Sequence, residues 1–115
     1  MTPTIHTAEG WRNYLSVIQQ FCTEDEIRLT KHAAYRLEER GIKYAHVIAG
    51  IMNGEIIEDY PTDAPNPSVL LLGNADNNPL HIVVGVGAEN IQIITAYHPS
   101  DKKWENNFKT RKAVQ

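Results

Sequence analysis

A chain of 115 residues with 42% hydrophobic and 22% charged side chains reads as one globular domain, too short for two and too apolar for disorder. Its net charge of −3 excludes the strongly basic composition of a dedicated nucleic-acid binder, so any phosphate site must be local. The single cysteine, Cys22, excludes an intrachain disulfide and suits a reducing cytoplasm.

The N-terminal stretch MTPTIHTAEG has no basic segment followed by an apolar one, so no signal peptide is expected. No apolar run approaches the length of a membrane span, and no membrane partner is expected. The first periodic segment is AEGWRNYLSVIQQFC. Trp11, Tyr14, Leu15, Ile18, Phe21 and Cys22 recur at the spacing of one apolar helix face. Thr7 is a plausible N-cap, and the acidic TEDE ends the helix. Cys22 sits on the apolar stripe and reads as core rather than nucleophile. Ile27 and Leu29 then alternate with polar residues, which permits a short extended piece.

A second helix is expected over residues 31–40, with Thr30 as its cap and Gly41 just past its end. A third follows over 44–53, with Val47, Ile48 and Ile51 inward and Gly54 closing it. After Gly54 the period changes. EIIEDY, SVLLLG, LHIVVGVG and NIQIITAYH are β-branched runs separated by PTDAPNP, NADNNP and AEN. These separators are too short for crossover helices, so consecutive strands should be antiparallel neighbours. The expected class is α+β: N-terminal helices followed by a four-stranded antiparallel meander. The expected organisation is a helical extension over 1–26, an α+β domain over 27–104 and a basic tail over 105–115. From Asp101 onward, Trp104 and Phe108 are the candidate anchors.

Candidate chemistry begins in the second helix. His32, Arg36 and Arg40 are spaced four apart on a strip bordering the apolar stripe of Ala33, Ala34 and Leu37. In the first turn the helix dipole disfavours positive charge, which suits the neutral imidazole that a general base requires at His32. Arg36 and Arg40 present planar donor forks suited to phosphate or carboxylate. The strip also reads as a solvated helix face, with Glu38 and Glu39 close by. In the last strand, period-2 alternation puts Ile91, Ile93, Thr95 and Tyr97 on one face, opposite Gln92, Ile94, Ala96 and His98. His81 shares a face with Val83 and Gly85. Singly, Tyr97 and His81 each read as satisfied structural residues.

No HxxxH, HExxH or paired-cysteine spacing suggests a metal site, and no Gly-rich phosphate loop is present, so no cofactor is expected. Charge is uneven along the chain. Residues 1–100 carry six Lys/Arg against twelve Asp/Glu, whereas 101–115 carry five against two.

TKHAAYRLEERGI, NGEIIEDYP, LLLG, PLHIVVGVG, IITAYHP and KKW occur here in that order. Their succession, from about residue 27 to 104, resembles the domain of unknown function 4258 family (DUF4258). The resemblance implies the barnase, colicin and RelE-like ribonuclease superfold. It further implies a metal-independent ribonuclease toxin acting on RNA, with a small zinc-binding antitoxin as protein partner. It gives functional weight to His32, Arg36, Arg40, His81, Thr95 and Tyr97. His98 departs from it, standing where a basic residue such as arginine is common. His98 keeps a cation whose charge depends on pH.

The reading is then an endoribonuclease using the substrate's 2′-hydroxyl as nucleophile. His32 is base or acid, with His81 or Tyr97 as its complement, and Arg36 and Arg40 hold the phosphate. Thr95 donates a hydrogen bond, and His98, Lys102 and Lys103 contact the RNA. The competing reading is a non-catalytic module that binds a protein or a ribosome, with these residues structural.

Overall fold

The structure is a computed structural model, and it describes residues 8–113. Helix α1 spans Ala8–Thr23; its expected cap, Thr7, lies outside the described residues. Ile18 is fully buried, and Trp11, Tyr14, Leu15, Phe21 and Cys22 pack around it on the core. Asp25 takes a left-handed conformation (φ 59°), and the Glu26 N–H bonds back to the Phe21 carbonyl at 2.9 Å. This turn ends α1 and delivers the chain into strand β1, Ile27–Leu29.

Helix α2, Lys31–Glu39, starts where the Thr30 hydroxyl accepts from the Ala33 N–H at 3.1 Å. It ends at Gly41, whose φ of 67° belongs to the left-handed region that glycine enters without strain. The Ile42 N–H reaches back to the Leu37 carbonyl, and both side chains are buried. Helix α3, Tyr44–Asn53, follows. The remaining strands are β2 (Glu55–Tyr60), β3 (Ser68–Ala75), β4 (Asn78–Val86) and β5 (Ile91–Tyr97). Asp76 and Asn77 both have positive φ, 50° and 65°, which is the two-residue I′ hairpin that matches strand twist.

The expected four-stranded antiparallel meander is corrected to a five-stranded mixed sheet of order β1-β5-β4-β3-β2. Strands β2 to β5 do run antiparallel in succession, but β1 adds at the β5 edge, parallel to it, with Ile27 opposite Ile91 and Leu29 opposite Ile93. The parallel pairing is possible because two helices and three strands separate β1 from β5, far more chain than a crossover needs.

One face of the sheet carries Val69, Leu71, Leu80, Ile82, Val84, Ile91, Ile93 and Ala96, all buried. Helix α3 lies close against it. A Cβ added at Gly73 would overlap the backbone of Gly50, so the helix and β3 approach backbone to backbone. The other face carries His81 and Val83 of β4, Leu70 and Leu72 of β3, and Glu55, Glu58 and Tyr60 of β2.

Strand β5 departs from the expected alternation. Val83 pairs with Thr95 but Val84 pairs with Ile93, so Ile94 is an extra residue, a bulge. The bulge shifts the pleat by one. Ile91, Ile93 and Ala96 face the helices, while Thr95 and Tyr97 face the other way, with His81. The expected single row of Ile91, Ile93, Thr95 and Tyr97 is therefore split. None of the described helices is long and apolar enough to cross a membrane.

Candidate functional site

The site is built on the sheet face away from the helices, at the β4–β5 pair. His81 and Tyr97 are directly opposite in register. The His81 side chain is fully buried. Its Nε2 lies 2.8 Å from the Phe108 carbonyl oxygen. A carbonyl only accepts, so Nε2 carries the proton and donates it there. In the neutral ring Nδ1 then holds a lone pair, and it faces the Tyr97 hydroxyl at 3.4 Å. Burial pushes the His81 pKa down, favouring that neutral ring; the Phe108 carbonyl and the Glu58 carboxylate pull the other way. Burial pushes the Tyr97 hydroxyl up, keeping it protonated, while Arg111 and Arg40 oppose this.

Arg40 comes to the site from the end of α2. Its Nη1 donates to the Thr95 hydroxyl and to the Ala96 carbonyl, both at 2.8 Å. Strand β1 stops at Leu29, opposite Ile93, so it leaves the last residues of β5 without a neighbouring strand on that side. Arg40 occupies that edge. Thr95 and Tyr97 are two apart and share a face, which puts the guanidinium, the Thr95 hydroxyl, the phenol and the imidazole in one continuous run.

Residues 101–112 cover this face as a strap. Trp104 is buried, its ring edge-on to His81 with centroids 4.5 Å apart. Arg111 stacks on Trp104 at 4.7 Å and binds Glu58 through two nitrogens, at 2.7 and 2.9 Å. Glu58 also accepts from the Tyr60 hydroxyl at 2.6 Å. The Arg111 hydrogen bond holds the Glu58 carboxyl below its usual range, and burial followed by the Glu58 contact pushes Tyr60 up to about 12. Lys109 adds an ion pair with Glu55 at 2.6 Å.

The expected residues are only partly brought together. Arg40, Thr95, Tyr97 and His81 meet. His32 and Arg36 stay on the exposed surface of α2, where Arg36 is 3.8 Å from Glu39. His98 is exposed, its Nδ1 donating to the Pro79 carbonyl at 2.9 Å. Lys102 and Lys103 lie on the strap. Glu58, Tyr60 and Arg111 were not anticipated. Glu58 and Arg111 are 53 residues apart, and no local pattern links them. An apolar groove of about 410 Å³ opens between Leu29, Ala34 and Tyr44, and it shares no lining residue with the Arg40–Tyr97 run.

Chemically the run offers a cation, two hydroxyls and a neutral imidazole with an accepting nitrogen. That set suits an anion with a transferable proton beside it. Among known families, the model described as Domain of unknown function (DUF4258) matches residues 29–98. No curated protein and no solved structure gives a match.

Proposed function

The chain belongs to the DUF4258 family, and from that premise and the site's geometry we propose that it is a metal-independent endoribonuclease acting as the toxin of a toxin–antitoxin pair. The observation that carries the reading is the Tyr97 hydroxyl facing the Nδ1 of His81, two residues along β5 and on the same face as Thr95, which Arg40 binds. The helices and the antiparallel β2–β5 order also fit the barnase, colicin and RelE-like superfold.

In the proposed reaction the substrate 2′-oxygen attacks the adjacent phosphorus. The new 2′-O–P bond forms as the P–O5′ bond breaks. The 2′-hydroxyl proton passes to the Tyr97 oxygen as the Tyr97 proton passes to His81 Nδ1, a hydrogen bond that tightens when substrate is bound. The resulting imidazolium is supported by the Phe108 carbonyl and by Glu58. Arg40 faces the charge that builds on the phosphoryl oxygens, and water protonates the departing 5′-oxygen. The products are a 2′,3′-cyclic phosphate and a 5′-hydroxyl. Arg36 and His32 lie one and two turns up α2 from Arg40, about 6 and 12 Å along the helix. That is beyond hydrogen-bond reach of the same phosphate, so they are assigned to neighbouring nucleotides.

The second reading, a non-catalytic binding module, is favoured by one observation: His81 is fully buried, with its Nε2 committed to the strap. One experiment separates the two. Purified protein is incubated with RNA in EDTA, and the ends are analysed. Cyclic-phosphate ends are expected. Tyr97→Phe, which removes only the hydroxyl, and Arg40→Gln should each lower the rate by about 100-fold or more. Cleavage that survives both changes would sink the nuclease assignment.

A further inference from the structure

The strap carries a second feature. Lys102, Lys103, Arg111 and Lys112 line one groove of about 300 Å³, with Ala113 at its end. No carboxylate among the described residues lines it. The groove has a built floor. Trp104 and Arg111 pair as an antiparallel bridge, the Lys112 N–H donates to the Lys103 carbonyl at 2.9 Å, and the Glu105 N–H donates to the Thr110 carbonyl at 2.8 Å. These bonds clip residues 103–105 to 110–112. The clip is fastened to the sheet by buried Trp104 and by the two-point Arg111–Glu58 pair. Arg111 is thus held, while Lys102, Lys103 and Lys112 are exposed on a fixed support.

From this arrangement we infer that the clip is a binding site for the phosphate backbone of single-stranded RNA. Three further points favour it. Residues 1–100 carry twelve acidic against six basic side chains, so the body repels a polyanion and the groove must supply the attraction. The groove is concave, which suits a strand better than a flat bilayer surface. Lysine ammoniums are point charges that contact phosphate without reading bases. The groove also connects to the candidate centre through successive ring contacts: Arg111 on Trp104, Trp104 on His81 and His81 beside Tyr97 at 5.4 Å between centroids. The assignment rests on the RNA reading above for its ligand, but not on cleavage.

The test uses a fluorescent 2′-O-methyl oligonucleotide, which binds as RNA does and has no free 2′-hydroxyl to attack. Affinity of the full chain is measured by anisotropy from 50 to 200 mM KCl. Three single-strand phosphate contacts contribute about 2 to the log–log salt slope, or roughly 20-fold in affinity across this range. The triple variant Lys102→Gln, Lys103→Gln, Lys112→Gln should lose that slope and bind at least tenfold more weakly at 50 mM, with an unchanged thermal melt. Binding of this uncleavable strand is read without any cleavage step, so failure of cleavage and failure of this site are read separately. An unchanged slope in the triple variant would overturn the inference. So would lysine-dependent binding to anionic vesicles without binding to the oligonucleotide.

Discussion

Replacing His81 by leucine tests the link between the sheet and the strap. The substitution removes the Nε2–H bond to Phe108 and leaves its carbonyl without that donor, a loss of about 1–3 kcal/mol. It also removes the edge contacts with Trp104 and Tyr97, about 0.5–1.5 kcal/mol beyond burial. The leucine recovers part of this, because it has no buried ring nitrogens to desolvate. A net destabilisation of about 2 kcal/mol is expected. With a urea m-value of about 1.5 kcal/mol/M, the midpoint at pH 7.5 should fall by a little over 1 M. The assay is urea unfolding followed by Trp104 fluorescence in a Trp11→Phe background.

The same variant isolates a pH effect. Burial depresses the His81 pKa below its ordinary value of 6.5, so the unfolded chain takes up the proton first. This contribution is flat above about 6.5, falls as the pH drops below that value, and levels off beneath the depressed folded pKa. The groups facing the ring are Tyr97, Glu58 and Arg111. Of these, Glu58 adds a second loss only at lower pH, as the medium falls through the carboxylate range and past its depressed folded pKa. Stability of the native chain should therefore decline between pH 7 and 5 more steeply than that of His81→Leu. Equal midpoints at pH 7.5, or parallel declines to pH 5, would refute the placement of a buried, neutral His81 under the strap.

Two further outcomes follow from the core. Gly73→Ala drives a methyl into the Gly50 backbone and should cost about 3 kcal/mol, seen as a drop of roughly 10 °C or more in the thermal melt; an unchanged melt would contradict the backbone contact of α3 on β3. The Cys22 thiol is pushed up to about 11 by burial, so at pH 8 iodoacetamide should modify it at least tenfold more slowly than a free cysteine of pKa about 8.5.

Elements whose signals are local could be read from the chain. Thr30 and Gly41 bracket α2 because a cap and a left-handed exit are single-residue requirements. Asp76-Asn77 marks its hairpin for the same reason. The parallel seat of β1 on β5 was not legible. Three residues, Ile27–Leu29, are extended by pattern, but their partner is decided by which sheet edge is left open. The Ile94 bulge was hidden too: a period-2 pattern does not say where one residue is looped out, and that residue decides which face Tyr97 occupies. At the site, the α2 strip raised Arg40 as a candidate, whereas His81 and Tyr97 read singly as structural, and they and Thr95 gained functional weight only from the family resemblance. Their separation from His32 and Arg36 depends on how α2 sits against the β5 edge, which no helical spacing specifies.

The strap changes what His81 can do. The family match ends at residue 98, and His81 lies inside it. Its ring cover, Trp104, and its Nε2 partner, Phe108, lie beyond it. With residues 101–112 in place, Nε2 is committed to a carbonyl and Nδ1 opens only toward Tyr97. In the proposed reaction, any proton that His81 exchanges with a substrate would therefore pass through the Tyr97 hydroxyl, so Tyr97 would touch the substrate and His81 would take the proton through it. The same twelve residues carry Lys102, Lys103 and Lys112 on a clip fastened to Glu58. Protonating Glu58 would loosen its pair with Arg111, whereas protonating His81 at Nδ1 keeps the Nε2–H contact with the Phe108 carbonyl, so the basic groove's geometry should be lost only as the pH falls through the carboxylate range.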